Sequence, residues 1–328
     1  MKINPKATLE NLGGKGYHLK LLKDICCVPD FFIICFDNLK EIEDISIQEQ
    51  ILNYYRNNKF ELVAVRSSAT IEDGSDSSFA GMFDSVLNVK EDKLIEAIKK
   101  VVNSVKGHRV IEYCKVKGID YENIGMRIVV QKMINSRVSG VCFTKIPKSS
   151  EQMAIEACFG LGEALVSGKV TPDNYIVNRN TLGIEDSSIS YQSNMFKRNG
   201  YEEVLYQKRN AKKLTNEEIQ NISKIALQIE SSLKFYGADI EWAFEGDKLY
   251  ILQARAITFR STEKKKDSLF PSIQNYQLTF KVTGIGFMFA DLLCHGFGYL
   301  HPLFICSEGK FLQYFTNEKM RLCSKLWI

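Results

Sequence analysis

The amino-acid sequence predicts an α/β protein, closer to the α+β type, with two lobes and mixed or antiparallel sheets. Up to residue 124, apolar strand-like runs alternate with amphipathic helical segments. From 125 to 259, short strand-like segments separated by turns favour hairpins. The polar run "RSTEKKKDS" at 260–268 is typical of a linker. We therefore predict an N-terminal lobe at 1–124, a C-terminal lobe at 125–259, and a linker with a short C-terminal extension of unknown role at 260–328.

The elements of the N-terminal lobe follow from hydrophobic spacing. In chain order we predict a glycine loop and helix in "GGKGYHLKLLKDI", a buried strand in "CVPDFFIICF", and a helix in "LKEIEDISIQEQILNYYRNN". A second strand, "FELVAVRSS", leads into a serine-rich segment, and "MFDSVLNV" returns as a strand. The amphipathic helix "KEDKLIEAIKKVVNSV" completes the lobe.

The C-terminal lobe is predicted to begin with the strands "MRIVVQKMI" and "VSGVCFTK" around the turn "NSR". The segment "EQMAIEACFG" then runs into the glycine-rich "GLGEALVSGK", and "PDNYIVNR" is another strand. The run "LTNEEIQNISKIALQIESSLKFYG" predicts a helix with Thr215 as its N-cap and Gly237 beyond its end. A hairpin in "ADIEWAFEGDKLYILQARAIT" closes the lobe.

Composition excludes several classes of function. The chain has 328 residues, 45% of them hydrophobic and 25% charged, as expected for a globular protein with a sizeable core. A net charge of +4 gives no reason to expect a nucleic acid or a membrane as partner. The basic run "KRNGYEEVLYQKRNAKK" at 197–213 is interrupted by glutamates and lacks an aromatic stacking pattern. We interpret it as a solvated surface loop.

The cysteines indicate a reducing compartment. There are nine of them with no CxxC spacing, and most have apolar neighbours, so buried free thiols are expected. No secretion signal is recognisable at the start, and no apolar run approaches the ~20 residues that cross a bilayer. We therefore expect a cytoplasmic location.

The hairpin near residue 247 carries the clearest chemistry. If Gly246, Asp247 and Lys248 form its turn, residues whose numbers sum to 494 lie opposite each other. Period-two alternation then places four polar side chains on one face, as the facing pairs Glu241–Gln253 and Asp239–Arg255. The other face would carry core residues, among them Ile240, Trp242, Phe244, Tyr250 and Leu252.

A carboxylate beside an amide oxygen suits Mg²⁺, and a nearby arginine suits phosphate. The alternative interpretation is an amphipathic edge hairpin with solvated polar residues, which the pattern alone favours.

Two glycine-rich loops could approach a ligand. In "NLGGKG" at 11–16 the glycines open the backbone and Lys15 adds a positive charge, but the full P-loop spacing is missing. The loop "GLGEALVSGK" at 160–169 lies near Glu156 and Glu163. A plain strand-to-helix turn and a flexible loop remain the alternatives.

The segment "VRSSATIEDGSDSSFAGMFDS" at 65–85 combines a cation with hydroxyl groups. Arg66 ends an apolar run, and Ser67, Ser68 and Thr70 follow at once, which is suitable chemistry for binding phosphate. Serine-rich loops are also commonly only solvated. Together with the hairpin and the two glycine loops, four segments offer phosphate or Mg²⁺ chemistry, and their joint case is stronger than that of any one segment.

Five motifs resemble the N-terminal nucleotide-binding domain of phosphoenolpyruvate synthase. They occur in family order across residues 13–258: "GGKG", "VAVRSSATIEDGSDSSFAGMFDSVLNV", "VVQKMINSRVSGVCFT", "IEACFGLGEALVSGKVTPDNYIV" and "DIEWAFEGDKLYILQARAIT". Pyruvate phosphate dikinase and rifampicin phosphotransferase share that domain, which has an ATP-grasp fold. The resemblance implies a two-lobed ATP-grasp domain that binds ATP and Mg²⁺.

The resemblance also implies roles for individual residues. Lys15, Arg66 and Arg255 would act in catalysis by holding the phosphates of ATP. Glu241 and Gln253 would hold Mg²⁺. The loop from Thr70 to Met82 would close over the triphosphate. The full set implied to contact the nucleotide is Lys15, Arg66, Thr70, Gly81, Met82, Gln131, Lys132, Met133, Ile134, Glu156, Asp239 and Arg255, with residues 131–134 beside adenine.

In this family the domain cleaves ATP to AMP and phosphorylates a histidine on a separate swivelling domain. The four histidines of this chain do not lie in that domain's motif, so the histidine is expected on a partner or missing domain: His18, His108, His295 and His301. The chain would then be a fragment, a split gene product or a complete protein with its own acceptor.

The alternatives are a stand-alone kinase or ligase acting on a small molecule, and a non-catalytic ATP sensor. The sequence does not identify the final phosphoryl acceptor.

Overall fold

The fold was obtained as a computed structural model of the 328-residue chain. The structure describes residues 1–70, 83–118, 124–147, 149–198 and 200–257, together with the backbone of short strands at 73–74, 77–78, 278–281, 304–307 and 310–313. The chain divides into two compact units, Met1–Phe259 and Arg260–Ile328.

The strands are numbered in chain order. They are β1 (Lys2–Ile3), β2 (Phe31–Cys35), β3 (Val63–Ala69), β4 (Asp73–Gly74), β5 (Ser77–Ser78), β6 (Ser85–Val89), β7 (Met126–Lys132), β8 (Val138–Phe143), β9 (Gln152–Phe159), β10 (Asp173–Asn178), β11 (Ile184–Ser188), β12 (Asn194–Lys197), β13 (Gly200–Glu203), β14 (Ala238–Glu245), β15 (Lys248–Ala256), β16 (Leu278–Lys281), β17 (Phe304–Ser307) and β18 (Lys310–Gln313). The helices are α1 (Leu9–Leu22), α2 (Ile45–Asn57), α3 (Glu91–Asn103), α4 (His108–Lys117), α5 (Glu163–Val166) and α6 (Asn216–Ser232).

The first unit contains two large antiparallel sheets. The first has the order β1-β2-β7-β3-β6, and one of its faces forms a core with α2, α3 and α4. The second has the order β11-β10-β9-β8-β14-β15, and α6 packs against one of its faces. The predicted α+β fold class is therefore confirmed, and every pairing in these two sheets is antiparallel.

The segments β7 and β8 form strands as predicted, but they do not pair with each other. β7 lies between β2 and β3 in the first sheet, whereas β8 pairs with β9 and β14 in the second. The five residues at 133–137 therefore connect the two sheets rather than forming a hairpin turn. The predicted lobe boundary at 124/125 precedes β7, which still belongs to the first sheet. The chain passes to the second sheet only after Lys132.

The hairpin β14–β15 has the predicted register at the polar end and a different one at the turn. Asp239 pairs with Arg255 and Glu241 with Gln253, as the sequence predicts. Trp242 then pairs with Ile251, so Leu252 is an extra residue in a bulge, and the turn shortens to Gly246 and Asp247.

The bulge changes which residues enter the core. Ile251 is buried, whereas Tyr250 and Leu252 are only half-buried, so their predicted place in the core was wrong. The physical reason is that one inserted residue reverses the alternation of every side chain after it. Ile240, Trp242 and Phe244 on β14 are buried as predicted.

Helix α1 is interrupted in its glycine-rich stretch. Gly13 has φ +67° and ψ 172°, which is not helical. A Cβ atom on Gly13 would lie 2.1 Å from the carbonyl oxygen of Ser68 in β3, and Ser68 Oγ donates to the carbonyl of Leu12 at 2.7 Å. The backbone NH of Gly16 donates to Ser68 Oγ at 2.9 Å. Glycine here allows α1 to pack directly against β3.

Other expectations from the sequence can be compared with the structure. Thr215 is the N-cap of α6 and forms a capping box with Glu218, while the helix ends at Ser232, before the expected Gly237. Six described cysteines are free thiols: Cys26, Cys27, Cys35, Cys114, Cys142 and Cys158. Within the described residues, no helix has both the length and the apolar character needed to cross a membrane. The predicted linker at 260–268 lies outside the described residues.

Candidate nucleotide site

Arg66 reaches from the first sheet to the second. Its Nη2 donates to Oε2 of Glu241 at 2.8 Å and to Oε1 of Gln253 at 2.7 Å. Its Nη1 donates to the Leu252 carbonyl and to Oε1 of Gln131, both at 3.2 Å. Three side chains predicted to bind a nucleotide or its metal, those of Gln131, Glu241 and Gln253, therefore meet at the guanidinium of a fourth, Arg66.

The alternation of β3 places Arg66 toward the second sheet. Its neighbours Val65 and Ser67 are buried on the opposite face, where Val65 joins the core of the first sheet. Gln131 on β7 shares the face of Arg66, because it pairs with Ala64 and Arg66 pairs with Val129. Nε2 of Gln131 donates to the Leu252 carbonyl at 3.3 Å. Gln131 thus holds Arg66 and β15 together, while its predicted place beside adenine stays a prediction.

A row of directly paired residues crosses the second sheet and includes two glutamates. Glu156 on β9 pairs with Val141 on β8, Val141 pairs with Glu241 on β14, and Glu241 pairs with Gln253 on β15. Directly paired residues share a face, so Glu156, Glu241 and Gln253 lie on the same side. Glu156 is predicted from the sequence to contact the nucleotide, and the register brings it to the face that Arg66 approaches.

The charges around Glu241 keep it ionised. Burial favours a higher pKa for Glu241, but the positive charge and hydrogen bond of Arg66, together with Arg255 and Lys15, outweigh it and lower the pKa. Lys15 on α1 is therefore near enough to the site to act on this carboxylate. Ionised Glu241 can serve as a ligand for a cation.

The two other carboxyls of the face behave differently. Burial raises the pKa of Asp239, the Glu241 charge raises it further, and Arg255 only partly opposes this. Burial also raises the pKa of Glu156, with a smaller contribution from Asp239. Carboxyls that repel each other in this way favour the arrival of positive charge between them.

Arg255 is held by its cross-strand partner. Its Nε and Nη2 donate to Oδ2 of Asp239 at 2.8 and 2.6 Å. The Arg255 side chain is 38% exposed and that of Asp239 13% exposed. Asp239 therefore fixes the direction in which the Arg255 guanidinium is presented, and the predicted role of Arg255 toward phosphate stays a prediction.

The connection between the sheets carries the residues predicted to lie beside adenine. Met133 and Ile134 are buried, and Lys132 is exposed. The Met133 NH donates to the Leu62 carbonyl at 2.9 Å, which anchors the connection to the strand that leads into Arg66. Thr70, at the end of β3, donates its NH to the Gly125 carbonyl at 3.1 Å. Gly81 and Met82 lie outside the described residues.

Sequence reasoning missed the hairpin β12–β13, which lies within and next to the stretch interpreted as a solvated loop. Phe196 packs beside a small cluster of Met133, Leu161 and Ala64. Arg198 donates to the Met133 carbonyl, and Lys197 Nζ donates to the Ser136 carbonyl at 3.0 Å. The apolar pair Met195 and Phe196, followed by the turn-type dipeptide "NG" at 199–200, was the available signal.

The interpretation of 197–213 as a solvated loop was also wrong at its end. The side chains of Lys213 and Asp173 have 0% exposure, and Lys213 Nζ lies 2.5 Å from Asp173 Oδ1. A lysine is buried here because a carboxylate fully compensates its charge. A charge count along the sequence cannot identify which lysine of a basic run has such a partner.

The donor set fits a cation that arrives with phosphates. The Glu241 and Gln253 oxygens lie within hydrogen-bond distance of the same nitrogen, so one cation can contact both. Mg²⁺ takes oxygen ligands and commonly uses one or two protein ligands plus phosphate and water. Among the described residues, no group of three or more His, Cys, Asp or Glu side chains could hold a metal. The site therefore suits a metal–phosphate complex better than a bare ion.

Known structures with similar folds were compared with the chain. A D-alanine–D-alanine ligase from Helicobacter pylori covers 76% of this chain and 54% of its own, with 14% identity and a TM-score of 0.36. A dinucleotide-forming acetyl-coenzyme A synthetase from Ca. Korarchaeum cryptofilum covers 74% of this chain and 91% of its own, with 10% identity and a TM-score of 0.38.

Sequence relatives are much more similar. A probable phosphoenolpyruvate synthase from Archaeoglobus fulgidus is 45% identical over 212 residues, which cover 62% of this chain and 28% of that protein. One from Methanocaldococcus jannaschii is 42% identical over 62% of this chain and 18% of that protein. The phosphotransferase YvkC of Bacillus subtilis is 33% identical over 77% of this chain and 34% of its own length. The chain thus spans about a third or less of these relatives.

The family comparison covers most of the first unit. Residues 42–272, more than half of the chain, match the AMP/ATP-binding domain of pyruvate phosphate dikinase. The match includes Arg66, Glu241 and Gln253, and the named relatives indicate a family of kinase-type enzymes. The resemblance read from the five sequence motifs is thereby confirmed. The chain belongs to the AMP/ATP-binding domain family of pyruvate phosphate dikinase, the family of the phosphoenolpyruvate synthase nucleotide-binding domain.

Proposed function

We propose that the chain binds Mg-ATP between its two sheets and passes a phosphoryl group to a histidine on a separate swivelling domain. In balance, ATP, water and histidine give AMP, inorganic phosphate and phosphohistidine. Both phosphoanhydride bonds of ATP are broken. One N–P bond forms on the histidine, and one P–O bond forms to the water oxygen in inorganic phosphate, with the displaced protons released to solvent. The proposal rests on the contacts of Arg66 with Glu241 and Gln253. They bring a side chain suited to binding phosphate next to two side-chain oxygens of the opposite sheet that are suited to binding a metal.

The residues of the site would act by positioning and by charge. Phosphoryl transfer depends mainly on aligning the reacting groups and neutralising the charge on the phosphate oxygens. Arg66, Arg255 and Lys15 supply positive charge for the triphosphate. When bound, Mg²⁺ would neutralise part of the charge on the phosphate oxygens. Glu241 and Gln253 would hold that ion, and Asp239 would direct Arg255.

Base recognition belongs to the connection between the sheets. Met133 is buried with Leu161 and Ala64, and Phe196 packs beside them. Such an apolar cluster is suitable for packing against a flat aromatic base. The partner histidine domain and a cytoplasmic location remain parts of the proposal.

The test combines the full chain with Mg-ATP and a separately purified histidine domain from a family member. With ATP labelled at the β-phosphate, we expect AMP release and acid-labile label on the acceptor histidine. Glu241→Gln should reduce labelling by at least about a hundredfold, as for removal of a group that stabilises transition-state charge. Glu185→Gln, on the outer strand β11 of the same sheet, is the matched control and should label normally.

Each other outcome contradicts the proposal. ATP that binds without AMP formation or histidine labelling would indicate a nucleotide sensor. ATP consumption that depends on an added small molecule, with no histidine domain present, would indicate a stand-alone kinase or ligase. Equal labelling by the Glu241 and Glu185 variants would remove Glu241 from the site.

A further inference from the structure

Arg66 uses the same oxygen atoms that are proposed to hold Mg²⁺. Its Nη2 lies 2.8 Å from Glu241 Oε2 and 2.7 Å from Gln253 Oε1. A guanidinium nitrogen at these distances occupies the space in which a metal would coordinate both oxygens at ~2.1 Å. Arginine and metal therefore cannot both contact this pair of oxygens.

We infer that Arg66 is an internal occupant of the cation site, and that Mg²⁺ gains access only when phosphate draws the guanidinium away. This rests on the proposed function, since it assigns Mg²⁺ to Glu241 and Gln253. In the arrangement that the structure shows, the Arg66 guanidinium neutralises the Glu241 carboxylate. Metal then enters together with the phosphates rather than before them.

The surroundings of the guanidinium allow this exchange. The Arg66 side chain is 13% exposed and that of Glu241 is 31% exposed, so the pair borders solvent. Nη1 is held separately, by the Leu252 carbonyl and by Gln131, at the longer distance of 3.2 Å. When Arg66 leaves Glu241, a phosphate oxygen replaces the carboxylate as its hydrogen-bond acceptor. The metal ion in turn replaces the guanidinium as the positive charge beside Glu241.

The bulge in β15 supports the same device. Leu252 is the extra residue of the hairpin, so no residue of β14 is paired with it. The Leu252 carbonyl accepts from Arg66 at 3.2 Å and from Gln131 at 3.3 Å. The bulge thus supplies an acceptor that directs Arg66 into the site when phosphate is absent.

The test measures metal binding without any nucleotide. Mn²⁺, which replaces Mg²⁺ at oxygen sites and is seen directly by electron paramagnetic resonance, is titrated into the full-length protein. We expect weak binding by the wild type and at least about tenfold tighter binding by Arg66→Ala, because the metal no longer displaces a charge-assisted hydrogen bond. The double variant Arg66→Ala, Glu241→Gln should lose the gain, which locates the ion.

Two further variants control for charge and for folding. Arg255→Ala removes the same charge from the neighbourhood without freeing the Glu241 and Gln253 oxygens, and it should give a clearly smaller gain. Arg66→Met keeps the apolar stem of the side chain and replaces the alanine variant if circular dichroism shows that the latter is unfolded. Arg66→Met should also bind Mn²⁺ more tightly than the wild type.

Three results would overturn the inference. They are Mn²⁺ affinity unchanged in a folded Arg66 variant, an equal gain in Arg255→Ala, and a gain that survives Glu241→Gln. None of these measurements involves phosphotransfer. Failure of the proposed function, seen as absent histidine labelling, is therefore distinguishable from failure of this inference.

Discussion

Two ion pairs each join a carboxylate of the second sheet to a basic residue from elsewhere in the fold, and their surroundings are opposite. Lys213–Asp173 is completely enclosed, with 0% exposure of both side chains, whereas Arg66–Glu241 borders solvent. The Asp173 carboxylate also accepts from Tyr175 OH at 2.9 Å, from the Ser190 NH at 2.9 Å and from the Lys213 NH at 3.0 Å. In the enclosed pair, the carboxylate oxygens of Asp173 therefore accept all of these hydrogen bonds from groups of the protein.

The comparison shows how burial decides what an ion pair can do. Asp173 and Lys213 join the start of β10 to the segments that contain Ser190 and Lys213, and exchange with a ligand would require unfolding there. Arg66 and Glu241 join two sheets across a surface that a ligand can reach. A charge pair without solvent access stabilises the fold, and one with access can exchange partners.

The largest effect is expected at the enclosed pair. Lys213→Ala leaves the Asp173 carboxylate buried without a compensating charge, so the free energy of unfolding should fall by about 3–5 kcal/mol. Urea unfolding followed by circular dichroism measures it. Arg66→Ala, which opens a partly exposed pair, should lower the same quantity by about 1 kcal/mol or less.

The neighbouring lysine provides the matched control. Lys212 is exposed and Lys213 is buried, so Lys212→Ala should change stability by less than about 0.5 kcal/mol. If the Lys213 and Lys212 variants unfold at the same urea concentration, the enclosed pair does not stabilise the fold. If Arg66→Ala is the more destabilising of the two ion-pair variants, the distinction between the pairs is wrong.

The next effect concerns the packing that fixes β3 beside the exchangeable pair. Gly13 and Gly118 both have φ +67°, but a Cβ on Gly13 would meet Ser68 at 2.1 Å, whereas one on Gly118 would meet nothing within 4 Å. Gly118→Ala should cost about 1 kcal/mol from backbone strain alone. Gly13→Ala should cost about 1–3 kcal/mol more, since the ψ of 172° at Gly13 lies in a backbone region that is almost exclusive to glycine and the contact forces α1 away from β3. Thermal unfolding of the two variants tests this, and equal losses would show that α1 tolerates the displacement.

The smallest effect is a dependence on pH that has opposite signs at two carboxyls. The pKa of Glu241 lies below its ordinary value of 4.5, so its stabilisation is present above that value and is lost as the pH falls through the lower, folded pKa. The pKa of Glu156 lies above 4.5, so its ionised form destabilises the fold at neutral pH, and acid removes this penalty.

Glutamine variants should separate the two contributions, each at most about 1 kcal/mol. At neutral pH, Glu241→Gln is expected to be less stable than the wild type and Glu156→Gln more stable. The first difference should shrink below pH 4.5, and the second should shrink as the pH falls toward 4.5. Urea midpoints measured across this range would contradict the assignment if both variants shift in the same direction.

Local patterns predicted much of the fold. The pairing of Glu241 with Gln253 followed from strand alternation and an approximate turn position. Thr215 was recognisable as an N-cap because capping depends on residues three positions apart. The bulge at Leu252 was not recognisable, since "LYILQARA" alternates equally well with or without it. The position of the bulge follows from core packing, in which Ile251 is buried and its neighbours Tyr250 and Leu252 are not.

The two-lobed α+β class and the family could be recognised from the amino-acid sequence, as could side chains suited to phosphate and to a metal in separate motifs. The hydrogen bond between Arg66 and Glu241, which are 175 positions apart along the chain, is visible only in the folded protein. The same is true of the enclosure of Lys213 and the exposure of Lys212. Hydrophobic spacing and caps are local properties, whereas the partners of a charge depend on which distant strands are brought together.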